Sequence, residues 1–281
     1  MNHDGEAGRA RRPTRSPAAR IAVALLLVAG LLIALSLATR YGAYRAEVAR
    51  PGSTQVATWK TVMRLFDVNS EDNVPSWFSS MLLMGCAVLA ALLAALVRRA
   101  GGRDAGHWAG LAAVLSLLSL DEVAALHERL GGPTAEVLGG GSTRGALHFA
   151  WIVPGVVLAL VVGLAFLGFV LRLPPGIRRL VVAAAAMYLT AAVGLEALGG
   201  IVLDAQGDRA LYLLVTAAEE GLEMGGSVLL LYATMRLLHL RPEPGGGYHL
   251  SVGVPEPAGT DAAAAAGPAG HRLPGAPLSS R

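Results

Sequence analysis

The sequence has little charge, few aromatic residues and almost no cysteine. Of its 281 residues, 15% are charged, 5% are aromatic and 54% are hydrophobic. A soluble domain usually carries about 25% charged residues, so this chain has too few polar groups to cover itself in water. The mean hydropathy of +0.53 agrees with that interpretation. The composition therefore predicts an integral membrane protein.

The single cysteine, Cys86, excludes an intrachain disulfide and a cysteine-based zinc site. It lies in an apolar run, which predicts a small buried core residue. The chain also lacks a Gly-rich phosphate loop, a Gly-x-Ser-x-Gly elbow and a His-Glu-x-x-His zinc helix. Its net charge of +3 includes no dense basic patch, so we expect no nucleic-acid partner.

Six apolar segments are long enough to cross a bilayer, which requires about 20 residues each. The sequence predicts transmembrane helices over residues 21–39, 77–97, 105–126, 147–171, 177–203 and 210–238. The abundant Ala and Gly residues allow such helices to pack closely in lipid. The predicted fold is an all-α, polytopic membrane helix bundle of about six transmembrane helices.

The segments outside these helices are polar or rich in small residues. We expect disordered cytoplasmic tails at residues 1–20 and 241–281, on either side of a transmembrane domain at 21–240. A long polar connection is predicted at 40–76, and a Gly-rich loop at 131–145. The first apolar segment is either a cleaved signal peptide or a retained helix. Its length exceeds the usual signal core of about 7 to 15 residues, which favours the retained helix.

The distribution of arginine predicts the topology. With the N-terminus inside, the inner segments hold most of the cations near the helices: Arg9, Arg11, Arg12, Arg15, Arg20, Arg98, Arg99, Arg103, Arg172, Arg178, Arg179, Arg236 and Arg241. Positive residues favour the cytoplasmic side. Trp77 and Trp151 fall at the predicted outer boundary and Trp108 at the inner one, as expected for an interfacial belt. We therefore expect a multi-pass protein of a bacterial plasma membrane with both termini cytoplasmic.

Ionisable residues are concentrated in the outer halves of the predicted helices. Each costs roughly 2.5 to 3.5 kcal/mol at the centre of a membrane helix, so intramembrane acids indicate a functional site. The candidate metal- or proton-binding residues are Asp121, Glu122, His127, Glu128, His148, Glu196, Glu219, Glu220 and Glu223.

The spacing of these residues predicts a shared site. Asp121 and Glu128 are seven residues apart and share one face if the third helix continues. Glu223 shares a face of the last helix with both Glu219 and Glu220. We expect Glu196 and Glu223 to point into the bundle. At least one residue of the 121–127 group is expected within roughly 8 Å of them, near enough for a bridging ion or water.

Four interpretations of this acidic cluster remain open. The acids are solvated helix ends, or they hold a divalent metal ion in a membrane hydrolase acting on a lipid or a peptide at the outer leaflet, or they bind a proton or cation that drives transport of a small solute. A non-catalytic scaffold or sensor would use the same one-sided site. The predicted inner halves are almost wholly apolar, which favours a one-sided pocket over a path through the membrane.

Two stretches carry a resemblance. The segment from Phe66 to Ser80 and the Leu-Asp-Glu-x4-His-Glu segment from Leu120 resemble features of uncharacterised bacterial polytopic membrane proteins. A partial similarity links the chain to the membrane hydrolase superfamily that contains alkaline ceramidases. It implies that Ser79 or Ser80, Asp121 and His127 fill part of a Ser, Asp and His pattern around a buried zinc. Glutamates stand where that superfamily has paired histidines in its last helix, and six helices are predicted instead of seven.

Overall fold

The computed structural model describes residues 16–139, 143–207, 210–242 and 248–253. Within these ranges the chain is almost entirely helical, with one short hairpin of strands. Its α-helices are α1 (Pro17–Ala49), α2 (Thr54–Phe66), α3 (Val74–Arg99), α4 (Ala105–Ala124), α5 (Leu126–Val137), α6 (Ile152–Arg172), α7 (Pro175–Leu189), α8 (Glu196–Gln206) and α9 (Ala210–Met235). A 3₁₀ turn occupies Gly145–Leu147, a π-helical segment Thr190–Leu195 joins α7 to α8, and strands β1 (Leu238–Pro242) and β2 (Tyr248–Val252) follow α9.

In the described chain, 4 helices are long and apolar enough to cross a membrane: α1, α3, α6 and the continuous stretch Pro175–Gln206. The bent pair α4 and α5 is a fifth if it is taken as one span. Helix α9 has 26 residues but carries Glu219, Glu220 and Glu223 in its middle. The prediction of an all-α chain is therefore confirmed, and four to five of the described helices or helix pairs are long and apolar enough to span a membrane.

The region predicted as a polar connection at 40–76 is largely helical. Helix α1 continues to Ala49 and has 33 residues, so it is about 50 Å long and exceeds the roughly 30 Å of a bilayer core. Helix α2 then packs back against α1, with the Trp59 ring over Gly42. The α1–α2 pair thus forms a helical hairpin that extends beyond the apolar layer.

The helix predicted over 105–126 is present but is broken near its end, and the loop predicted at 131–145 is wrong as far as Val137, where the chain is helical. Helix α4 ends at Ala124, and α5 begins at Leu126 after a bend of 82°. Gly131 and Gly132 lie inside α5, although their composition predicts a loop. Because of the bend, Asp121 and Glu128 do not share one face of a continuous helix.

The predicted tails differ from the structure where it describes them. Helix α1 begins at Pro17, inside the tail predicted at 1–20, and residues 1–15 lie outside the described chain. After α9, antiparallel strands pair Leu238 with Val252, although 241–281 is predicted to be disordered. The rest of that tail, 243–247 and 254–281, lies outside the described residues.

Helix α9 is the centre of the bundle, because it packs against α1, α3, α7 and α8. Cys86 on α3 is fully buried, as predicted, and its thiol donates to the Ser227 carbonyl of α9 at 3.3 Å. Helices α3 and α4 are joined by reciprocal hydrogen bonds, in which Ser80 Oγ donates to the Ser119 carbonyl and Ser119 Oγ to the Ser80 carbonyl. Trp108 is buried against Phe169 and does not form an interfacial anchor.

Candidate functional site

The bend between α4 and α5 brings a histidine back onto an aspartate. Asp121 Oδ1 accepts the backbone N–H of His127 at 2.8 Å, and Asp121 Oδ2 lies 2.9 Å from His127 Nδ1. The contact with Asp121 holds one ring nitrogen of His127, so Nε2 is left to face the site. A carboxylate on Nδ1 is the usual support of a metal-binding histidine and also of a general base.

The bend depends on an unfavourable backbone conformation. Ala125 has φ +49°, in the left-handed region that a residue with a Cβ rarely adopts. Such a residue costs on the order of 1–3 kcal/mol and persists only where its surroundings enforce it. Here the Ala125 N–H donates to the Asp121 carbonyl at 2.8 Å while the Asp121 side chain fixes the next turn. Asp121 thus ends α4 and orients His127 at the same time.

Two further carboxylates converge on His127. Glu71, from the loop before α3, places Oε1 3.9 Å from His127 Nε2, and Glu128 follows His127 on α5. One ligand atom from each of Glu71, His127 and Glu128 lies within 4.8 Å of the other two. We refer to these three residues as the outer triad. Metal–ligand bonds of roughly 2.0 to 2.6 Å allow ligand separations up to about 5 Å, so the triad has the dimensions of a cation site.

The loop that carries Glu71 is held firmly. Asp67 is buried and accepts Arg40 Nη2 at 2.7 Å, which ties the loop to α1. Asn73 caps α3 by accepting the Ser76 N–H, and its amide donates to the Asp67 carbonyl at 2.6 Å. The Val68 N–H donates to Ser36 Oγ at 3.1 Å. These bonds fix the position of Glu71 before any ligand arrives.

Burial of Glu71 disfavours its charged form. Burial raises the pKa of Glu71 to about 7; His127 opposes the shift, while Glu128, Asp121 and Asp72 add to it. Its Oε2 atom is buried without a hydrogen-bond partner among the described residues. A carboxylate in that position is stabilised by a proton or by a bound cation.

Trp151, at the start of α6, connects the outer triad to acids deeper in the bundle. Its ring packs edge-on against His127, with centroids 4.6 Å apart, and its Nε1 donates to Glu196 Oε1 at 3.2 Å. Glu196 also interacts with Glu219 of α9.

The deeper acids form a second group, which we call the inner carboxylates. They come from α4, α8 and α9 and interact electrostatically with one another: Glu122, Glu196, Glu219, Glu220 and Glu223. Glu223 also interacts with His127 and Asp121, and Tyr188 of α7 lies beside Glu223 and Glu122. The hydroxyl of buried Ser79, which faces Glu122, makes no hydrogen bond of good geometry in the described chain.

The structure brings together the predicted residues of α4, α5, α8 and α9, and it separates His148 from them. His148 Nδ1 instead lies 2.6 Å from Asp204 Oδ1, and Asp204 also accepts the N–H of Gly145. These contacts join the segment before α6 to the end of α8. His148 therefore acts in a separate, local contact.

The sequence did not point to Glu71, Trp151 or Tyr188 as members of the site. Glu71 lies in the Ser-Glu-Asp-Asn-Val-Pro segment, whose turn-forming composition predicts a connection only. Trp151 has the position of an interfacial anchor, and Tyr188 lies in an apolar run. Their proximity to His127 and Glu223 depends on the packing of α6 and α7, which no local pattern contains.

These residues belong to a helical protein with several helices long and apolar enough to span a membrane, and they gather a histidine and many carboxylates at one end of the bundle. The chain belongs to a family described as a domain of unknown function, DUF8692, which matches residues 19–238. The match includes both the outer triad and the inner carboxylates. No curated protein and no solved structure matches the chain.

Proposed function

We propose that this protein is a metal-dependent membrane hydrolase whose outer triad binds a divalent cation. One observation carries the proposal: Glu71, His127 and Glu128 place three ligand atoms within 4.8 Å of one another. The bond from Asp121 to His127 Nδ1 supports it, because that bond leaves Nε2 available as a ligand. Two carboxylates and one imidazole suit Mg²⁺, Mn²⁺, Fe²⁺ or Zn²⁺ better than a thiolate-preferring ion.

The residues around the triad suit hydrolysis. A divalent ion there would polarise a carbonyl or phosphoryl oxygen and lower the pKa of water. The Asp121–His127 pair orients the imidazole, and the loop bonds of Asp67 and Asn73 hold Glu71 in place. The inner carboxylates can accept and return protons during hydrolysis.

The topology that we propose has six transmembrane helices, with α4 and α5 as one bent span and α9 as the last. Both termini are cytoplasmic in the plasma membrane of a bacterium, and the site faces outward. In support, α4 ends and α6 begins near the site, while arginines lie at the opposite ends of α3, α6 and α9. The acids of α9 face protein partners, which offsets their cost in the bilayer.

A proton- or cation-coupled transporter is the competing function. It requires polar groups along the whole bundle, as well as at one end. The end of the bundle opposite the site is instead filled by a tightly packed apolar cluster that includes Leu93, Trp108 and Phe169. That packing favours a one-sided pocket, and so favours the hydrolase.

Metal binding by purified protein tests the proposal. We expect about one divalent ion per chain by equilibrium dialysis with Mn²⁺ or Zn²⁺, and its loss in Glu71→Gln and Glu128→Gln. Asp121→Asn is expected to weaken binding by about 10- to 100-fold, because it removes the support of His127. Glu136→Gln is the matched control, since Glu136 is an exposed acid on α5 outside the triad.

A second measurement tests the hydrolase activity. Cleavage of ester- and amide-linked lipids in detergent should require the added ion and should be lost in Glu71→Gln but retained in Glu136→Gln. Wild-type protein that binds no ion, or that binds it equally well without Glu71 and Glu128, would contradict the proposed function.

A further inference from the structure

An apolar groove of about 560 Å³ runs between α5 and α6. Its walls include Val137 of α5 and Val157, Leu158 and Val161 of α6, and Thr134 is the polar residue in its lining. Pro133 and Pro154 also line it and contribute no backbone N–H. A groove with so few donors and acceptors selects an occupant made of hydrocarbon.

The groove begins about two helical turns from the outer triad. Thr134 lies seven residues after His127 on α5, so it shares the face of His127 two turns further along, about 10 Å away. Leu158 stands in the same relation to Trp151, the residue before α6. His127 and Trp151 pack against each other, so one contact precedes both walls of the groove. A molecule that extends about 10 Å beyond the groove on this side would reach the triad.

The groove is also continuous with the surface that faces lipid. Helix α6 is a candidate membrane span and is only 11% buried over its apolar window. Leu160 and Leu164, next to the groove residues on α6, are exposed side chains of that surface. The groove is thus accessible sideways from a bilayer, which distinguishes a lipid from a water-soluble substrate.

We propose that this groove binds one acyl chain of a bilayer phospholipid and places its polar linkage at the outer triad. The placement of the polar linkage at the triad rests on the proposed function. The binding of the acyl chain in the groove does not depend on it. Ester and phosphate oxygens are hard ligands of the kind that a divalent cation held by Glu71, His127 and Glu128 would accept as additional ligands. The substrate class is accordingly a lipid that carries an acyl chain, and not a peptide.

Photo-crosslinking of the full chain in nanodiscs tests the acyl-chain site. The probe is phosphatidylcholine with a diazirine on its acyl chain, and labelled peptides are mapped by mass spectrometry. We expect labelling concentrated at residues 133–137 and 153–161, and a severalfold decrease there in Val157→Trp and Leu158→Trp, which fill the groove. Leu164→Trp is the matched control, because Leu164 is 73% exposed on α6 outside the groove and should leave the labelling unchanged.

A headgroup probe separates this inference from the proposed function. Phosphatidylcholine with its diazirine near the phosphate should label the segment around His127 only with Mn²⁺ present, and should fail to do so in Glu71→Gln. If the acyl-chain labelling persists while the headgroup labelling does not depend on Glu71, the chain site stands and the metal hydrolase falls. Equal labelling of all faces of α6, or no decrease in the two groove variants, would overturn the lipid site. A copurifying peptide that occupies the groove without lipid labelling would overturn it as well.

Discussion

At Gly226 the central helix α9 lies close against the backbone of α7. A Cβ built on Gly226 would lie 2.9 Å from the Ala184 carbonyl oxygen and 3.2 Å from the Tyr188 backbone nitrogen. Carbon–oxygen contacts normally lie at about 3.3 to 3.6 Å, so Gly226→Ala requires the helices to separate by about 0.5 Å. A rigid backbone cannot turn away as a side-chain tip can.

We expect Gly226→Ala to destabilise the protein by about 1 to 2 kcal/mol. Overpacking costs about 1 to 3 kcal/mol, and the better helix propensity of alanine returns up to about 1 kcal/mol. The effect should be smaller at Gly225, where a new Cβ would meet only the flexible end of Met187 at 3.0 Å. At Gly163 on α6 nothing lies within 4 Å, so Gly163→Ala should be neutral or slightly stabilising.

Thermal unfolding in detergent measures this series. For a chain of this size, a loss of 1 to 2 kcal/mol lowers the melting temperature by roughly 2 to 8 °C. From the highest melting temperature to the lowest, the expected order is Gly163→Ala, Gly225→Ala and Gly226→Ala. If Gly226→Ala melts at the temperature of Gly163→Ala or above it, the close backbone contact between α7 and α9 does not exist as described.

Two ion pairs give further predictions. Asp67→Asn should destabilise the fold by about 3 kcal/mol in chemical unfolding, because it removes the nearly buried carboxylate that pairs with Arg40. Lys60→Gln, at an exposed pair, should cost less than about 1 kcal/mol. Similar losses for the two variants would refute the distinction between these ion pairs. The hydrogen bond from Arg172 lowers the pKa of Asp104 below its ordinary value of 3.8. The stabilisation by this pair is therefore complete above pH 3.8 and is lost as the pH falls through the lowered pKa. Asp104→Asn should remove that acid dependence, and an unchanged pH profile of unfolding would contradict the assignment.

The membrane character of this chain could be predicted from local sequence alone. Long runs without charge, such as that within α1, must be shielded from water by lipid or by a protein core. Their lengths match the thickness of a bilayer. The acids of α4 and α9 also stood out, because an acidic residue in an apolar run has a high energetic cost and needs a partner. The burial of Cys86 followed from the same kind of local pattern.

The helix ends were harder to predict. The bend at Ala125 comes from the bonds of Asp121 to the following turn. The segment contains no glycine or proline at the bend, so its sequence does not predict a helix end there. Helix α2 contains Lys60 and Arg64 and lacks a long apolar run, so its composition resembled a connection; its packing against α1 provides the stability.

The sequence by itself determined that the chain is helical, with several segments apolar enough to span a membrane, and that its acids lie toward one end of the helices. Only the tertiary structure decided which of the acids meet. Glu71 joins His127 because Arg40 and Asp67 tie a loop to α1, and His148 contacts Asp204 instead. A carboxylate within an apolar run of the sequence predicts that it has a partner, but does not identify that partner. The partner depends on which helices pack together. That packing depends on contacts between residues far apart in the chain.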